Sequence, residues 1–350
     1  MRRAPWCALL CCVAVPAAAQ ERAVTFEEPQ PVSVTGFAVG GADYARLARS
    51  NTFTAGKIAI SLFKSAGDVY LFGQLTTALE GGASTTEIDN LLVSWTPQRA
   101  NRWTVAFGRF DAPIGFERDD EPLNLIPTNS FNFAYARPSK LTGLQLHYTA
   151  SPRAEVWAAA VNGWDIAADN NRGKTALLRA QVVPIPWVTV GVTGVYGPER
   201  DSTDANQRSL VSGDLTIDRG RLILGAEVNL GREQQGGGNP TWRGAALTGF
   251  VRLARNLGFS ARYDQMEDSD GLLTGTPQIL RSVTAGPMWY FNTAREGVFS
   301  NIEHTRLHLP QLALRAAVRA DWSSQPFFPD ATGALQGSDT KGVVELVYVF

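Results

Sequence analysis

The stretch Lys341-Gly342-Val343-Val344-Glu345-Leu346-Val347-Tyr348-Val349-Phe350 stands last in the sequence. Counted back by twos, Phe350, Tyr348, Leu346 and Val344 share a face, while Glu345 and Lys341 fall on the other with Val347 and Val343. Side chains on a strand alternate with period two, so one face suits hydrocarbon and the other admits charge. That is the pattern of a transmembrane β-barrel strand.

The pattern recurs along the chain. Leu222, Leu224, Ala226, Val228 and Leu230 oppose Arg221, Ile223, Gly225, Glu227 and Asn229. Leu312, Leu314, Ala316, Val318, Ala320 and Trp322 oppose Ala313, Arg315, Ala317, Arg319 and Asp321. Weaker versions run through Leu144–Thr149, Val188–Thr193 and Leu257–Asp264, while Ala154–Val161 and Trp242–Leu253 mix apolar residues on both faces. No segment carries the period of an amphipathic helix.

Arg2 and Arg3 precede the apolar stretch Trp6–Val15 and the small residues Ala17-Ala18-Ala19, which reads as a secretory signal over 1–19 with cleavage after Ala19. The organisation expected is therefore a signal at 1–19, a short segment at 20–31 and a barrel over 32–350 with a long loop at 111–138. Cys7, Cys11 and Cys12 all lie in the signal, so the exported chain has no thiol and no disulfide framework. Removing Arg2 and Arg3 leaves 30 basic residues against 33 acidic ones, which gives no reason to expect a nucleic-acid partner. Mean hydropathy is -0.10. Outside the signal no run approaches the roughly 18 apolar residues of a membrane helix.

Connections alternate between short ones, such as Ser65–Asp68, Ser151-Pro152 and Asp218–Gly220, and longer polar ones, such as Asp111–Pro138, Gly197–Gln207 and Ser323–Asp339. Short turns on one rim and long loops on the other are the habit of outer-membrane barrels, whose strand number is even. The spacing gives 16 or 17 candidate strands, depending on whether Gly297–Leu309 is a strand of its own. The expectation is an all-β, closed antiparallel transmembrane barrel of about 16 strands, with 14 and 18 as alternatives. At that size an aqueous lumen remains.

Gly108-Arg109-Phe110-Asp111-Ala112-Pro113-Ile114-Gly115-Phe116-Glu117, followed by Val161-Asn162-Gly163-Trp164-Asp165 and Asp169–Thr175, resembles the OmpL-like β-barrel porin family of bacterial outer membranes. The resemblance runs through most of the mature chain and implies a porin-like barrel in the outer membrane. It assigns no solute, and a homotrimer is an expectation borrowed from better-known porins.

The residues expected to line the pore are Lys57, Arg179, Arg221, Arg262, Arg315, Arg319, Asp214, Glu227, Asp264, Asp321 and Glu345, because an Arg or Lys facing lipid at the midplane costs about 2 to 4 kcal/mol. Their near balance of sign argues against strong ion selectivity. They could equally be cross-strand ion pairs stiffening the wall. Asp111, Glu117, Asp119, Asp120 and Glu121 sit in the longest loop. Folded inward, they would face cations across the lumen and set a transverse field; folded outward, they are a solvated surface run.

Trp95, Trp103, Trp187, Trp322 and Tyr348 fall near strand ends, as aromatic girdles do. His304 and His308 share a face without a third ligand, Gly236-Gly237-Gly238 opens no helix, and no nucleophile elbow surrounds a serine. No metal, cofactor or catalytic role is expected. The function expected is passive diffusion of small hydrophilic solutes. The partners expected are outer-membrane lipids, those solutes, and the barrel-assembly machinery through the strand ending at Phe350. The alternatives are a non-conducting structural or binding barrel and an exported soluble β-sandwich adhesin.

Overall fold

The computed structural model describes residues 31–80, 83–291, 294–296 and 308–350. Its strands are β1 (Ser33–Ala45), β2 (Ser50–Ala66), β3 (Val69–Glu80), β4 (Ala83–Trp95), β5 (Trp103–Asp111), β6 (Lys140–Ser151), β7 (Ala154–Val161), β8 (Thr175–Ile185), β9 (Val188–Pro198) and β10 (Gln207–Asp218). They continue with β11 (Leu222–Glu233), β12 (Thr241–Ala254), β13 (Leu257–Asp268), β14 (Gln278–Tyr290), β15 (Ala294–Glu296), β16 (His308–Pro310), β17 (Leu312–Ser323), β18 (Phe328–Pro329), β19 (Leu335–Gln336) and β20 (Ser338–Val349). One short helix, α1 (Phe131–Tyr135), lies between β5 and β6.

Sixteen strands, β1 to β14 with β17 and β20, form one closed antiparallel barrel, each paired to its neighbours in sequence order. The seam is β20 on β1, with Phe37 opposite Val349 and Gly41 opposite Glu345. Phe350 finishes it: its backbone exchanges hydrogen bonds of 3.0 and 2.9 Å with Gly36, and Thr35 donates to its carbonyl at 2.6 Å. Closure leaves no unpaired edge in lipid, where an unmatched backbone group costs several kcal/mol.

The terminal strand divides its faces as its spacing demands. Val344, Leu346 and Tyr348 are exposed on the outside, while Glu345, Val347 and Val349 are buried on the inside. The two mixed segments resolve in the same way. Trp157, Ala159 and Val161 point inward, as do Trp242, Ala246 and Phe250, and all are buried. Their inward faces are apolar because protein, rather than water, fills the lumen beside them.

β14 and β17 are joined at the rim of short turns by a connection that includes the paired β15 and β16. The strand considered at Gly297–Leu309 and the residue His304 lie largely outside the described residues. Short turns are not confined to one rim, since only residues 46–49 separate β1 from β2 at the long-loop end. Outward aromatics mark two levels. Trp95, Trp103 and Tyr348 stand near the short-turn rim, and Tyr44, Tyr196 and Trp322 near the long-loop rim. Trp187 is half-buried in the turn before β9, with the Arg219 guanidinium 3.9 Å from its ring centre.

Candidate functional site: the lumen and its inward loop

Two glycines flank the point where β5 leaves the wall, Gly108 still within the strand and Gly115 just beyond it. Gly108 has φ +141°, and a Cβ there would lie 1.9 Å from the Leu91 carbonyl of β4. Gly115 has φ +72°, and its Cβ would lie 2.0 Å from a Glu227 carboxylate oxygen. Both positions demand glycine on conformation and on space. The Gly-Arg-Phe and Pro-Ile-Gly signature is thus the exit that turns the chain into the barrel.

The segment between β5 and β6 then lies across the lumen, stapled to wall strands around it. Glu227 of β11 accepts from the Phe116 amide at 2.8 Å, from Arg137 at 2.7 Å and from Asn229 at 2.8 Å. Glu117 pairs with Arg262 of β13 at 2.8 Å and accepts from both the amide and the hydroxyl of Ser130. Ser130 in turn caps α1 by accepting from the Phe133 amide at 2.9 Å. Asp264 receives the Phe131 amide at 2.8 Å, and Trp242 donates to the Ala136 carbonyl at 3.0 Å.

The other end of the loop is held by β17, β2, β3 and β6. Arg315 donates to the carbonyls of Glu121 at 3.0 Å and Asn124 at 2.6 Å, and Arg319 donates to the Asn129 carbonyl. Lys57 meets Glu121 at 3.2 Å, and Gln74 donates to Asp120 at 3.1 Å. Lys140 gathers Asp89 at 2.8 Å, Asp119 at 3.1 Å and Asp111. Apolar side chains complete the docking. Leu123 packs with Phe37, Val347 and Val349, Leu125 with Ile223 and Phe250, and Phe131 with Met266, Leu280 and Phe328.

Of the residues expected on the lumen face, Arg179 and Asp214 form a buried pair at 2.6 Å, supported by Thr193 and Gln181. Arg319 holds Asp321 at 2.6 Å, Arg262 lies 3.4 Å from Asp264, and Arg315 grips Glu345. Arg221 is different. It lies in the exposed turn before β11 rather than on the inner wall, because the strand begins one residue later than alternation suggested.

The expected field across an open gap is also corrected. Asp111, Glu117, Asp119 and Glu121 touch their cations directly, which cancels charge locally, while Asp120 meets the neutral Gln74. Burial pushes the Glu117 carboxyl up in spite of Arg262. Asp120 is pushed well above the ordinary range by burial and then by Asp111. Burial acts on Asp119 in the same sense, but Lys140 and Lys57 outweigh it and hold it below its ordinary value. Arg118 has no carboxylate partner among the described residues. Burial, together with Arg137 and Arg179, lowers it to about 10.

Sequence reasoning missed the apolar half of the docking. The signal was present: Leu123, Leu125, Ile126, Phe131 and Phe133 crowd a segment read as polar. Between the loop and β1, β2 and β20 a cavity of about 480 Å³ remains, lined by Asp43, Thr54, Lys57, Glu121, Pro127 and Glu345 among others.

A closed sixteen-stranded sheet, apolar outside, charged inside and crossed by one inward loop, defines an outer-membrane protein of the porin class. Residues 51–350 match the family described as "Putative beta-barrel porin-2, OmpL-like", and the chain belongs to that family. Among curated proteins no sequence matches it. Solved structures share its fold at low identity. An anion-selective porin from Comamonas acidovorans has a TM-score of 0.63 at 10% identity, covering 91% of this chain and 99% of its own. The outer membrane channel DcaP of Acinetobacter baumannii gives 0.62 at 10%, covering 91% and 97%. OmpT of Vibrio cholerae gives 0.61 at 11%, with the same coverage.

Proposed function

We propose that the barrel is a passive, non-enzymatic diffusion pore for small hydrophilic solutes, narrowed by the 111–138 loop. The observation that carries this reading is the loop's position. It lies inside a closed barrel, held by side chains of β2, β3, β6, β11, β13 and β17. The charged groups lining the passage left beside it are mostly paired, Lys57 with Glu121 and Glu345 with Arg315, with Asp43 standing apart, so solutes are sorted mainly by size. The pairs also imply a weak ion preference, since a neutralised pair projects little field into the water path.

The exported chain begins after Ala19, and Phe350, knitted into the seam, is the element presented to the assembly machinery. A homotrimer is proposed from the trimer form of Vibrio cholerae OmpT, one of the structural neighbours. Planar-bilayer recording tests the reading. The native barrel should give small uniform current steps, and replacing 121–128 by a short glycine linker should enlarge them. Silence from both proteins would overturn it.

A further inference from the structure

The outer wall carries charge at one place where charge is out of keeping with lipid. Near the long-loop rim, β11, β12 and β14 turn Arg232, Arg243 and Arg281 outward, all exposed. The register sets them side by side: Arg232 lies opposite Ser209 and Thr241, Arg243 opposite Leu230 and Glu267, and Arg281 opposite Gln265 and Trp322. Three cations stand near two carboxylates: Glu267, which Arg243 engages with two hydrogen bonds of 2.8 and 2.9 Å, and Asp270, which accepts from the Thr241 amide at 2.9 Å. Arg281 is held by the neutral Gln265 at 2.8 Å, and no carboxylate meets Arg232 among the described residues.

A groove of about 450 Å³ opens between Arg232 and Arg243, with Ser209 and Thr241 at its edge and Val211 and Leu230 along its floor. Below it the same face is apolar, with Val228, Leu247 and Val283 exposed. The level is that of Tyr196 and Trp322, which mark the lipid-water boundary.

We propose that this groove seats a phosphate-bearing lipid headgroup of the outer leaflet, its phosphate on Arg232 and Arg243 and its acyl chains over Val211, Leu230 and Leu247. Three features select that occupant. Guanidinium groups match phosphate with paired donors. The cations stand at headgroup depth above a hydrocarbon-facing wall. A second copy of the chain would have to bring carboxylates to the same level. Yet Tyr44, Phe53, Tyr196 and Trp322, exposed outward residues near that rim on other strands, offer aromatic rings and no carboxylate.

Native mass spectrometry of the barrel in uncharged detergent tests the site. The probe is a bis-phosphorylated acylated glucosamine disaccharide, compared with the same lipid stripped of phosphate and with inorganic phosphate alone. The phosphorylated lipid should be retained, and neither control should be. Affinity should fall roughly fivefold for each arginine lost in R232Q and R232Q/R243Q. Raising salt from roughly 0.05 to roughly 0.5 M should strip the lipid from the native protein, which keeps the test valid if a variant does not fold. Equal retention with and without phosphate, or insensitivity to both salt and substitution, would overturn the proposal. So would a lipid-free oligomer that the double variant converts to monomer, since the surface would then be an interface between copies.

Discussion

Glu117 and Glu121 stand four residues apart on one loop and end in opposite surroundings. Glu117 is 5% exposed, pairs with Arg262 at 1%, and takes two further bonds from Ser130. Glu121 is 30% exposed and meets Lys57 once, at 3.2 Å, beside the open cavity. The first pair is locked in protein, and losing one partner strands a buried charge. The second is half-buried, Lys57 at 17% exposure, and opens on the cavity, where water screens it in part. The same chemical pair is a latch in one place and a surface contact in the other, and burial decides which.

Breaking the latch should have the largest effect. Glu117→Ala takes from buried Arg262 its loop carboxylate, leaving Asp264 and the Thr128 carbonyl and hydroxyl as its partners, a loss of up to about 3 to 5 kcal/mol for a buried pair cut on one side. The loop should release at its β13 end, raising single-channel conductance and lowering the temperature at which the folded gel band disappears. A Glu117→Ala barrel with native conductance and native heat resistance would show that the Glu117–Arg262 pair is not what holds the loop.

The wall supplies the next contrast, between two adjacent residues of β17. Leu314 is exposed to lipid and Arg315 is buried inside, on Glu345 and on the carbonyls of Glu121 and Asn124. Leu314→Arg should impair assembly by about 2 to 4 kcal/mol. Arg315→Leu should assemble but free the Glu121 end of the loop and widen the pore. Yields of folded protein from vesicles check the first expectation and current steps the second. Equal tolerance would contradict the face assignment.

This pair shows how far the residues alone could be read. Period-two alternation was enough for the barrel and the side on which Arg315 lies, because a sheet between oil and water admits one register, and the even count of such barrels narrowed the strand number to about 16. It could not show that Arg315 ends on loop carbonyls, since that contact joins residues 191 apart or more. Nor could it separate Arg221, in an exposed turn, from Glu227, at the latch: both fit the inward period, and strand ends are invisible to period counting. The inward course of 111–138 was one of two readings, and Leu123, Leu125 and Phe131 decide it by giving the loop an apolar face that water would not hold.

Asp120 lies between the two glutamates in sequence and in character, bonded to neutral Gln74 rather than to a cation. Its carboxyl is raised well above the ordinary 3.8 by burial and by Asp111. An acid that binds its proton more tightly when docked than when released favours docking in mild acid. That advantage is lost as pH rises from the ordinary carboxylate range through the raised value. Glu117 acts in the same direction, and Asp119, held low by Lys140 and Lys57, acts oppositely nearer the ordinary range. Current noise from loop motion should therefore fall on mild acidification, and Asp120→Asn should be quieter at neutral pH and flatten most of that dependence. A variant as pH-sensitive as the native barrel would move the effect to another group.

The smallest change should come from the half-buried Lys57–Glu121 pair. Lys57→Gln and Glu121→Gln each remove one charge from a contact that water already screens, so stability should move by less than about 1 kcal/mol. Ion preference should respond more visibly, because each substitution unmasks its partner beside the cavity. Lys57→Gln exposes a carboxylate and should turn the reversal potential in a salt gradient toward cations, whereas Glu121→Gln exposes an ammonium and should turn it toward anions. Opposite signs with unchanged heat resistance would place this pair in the ion path. Shifts of one sign, or loss of the folded barrel, would mean that Glu121 belongs with Glu117 as part of the latch.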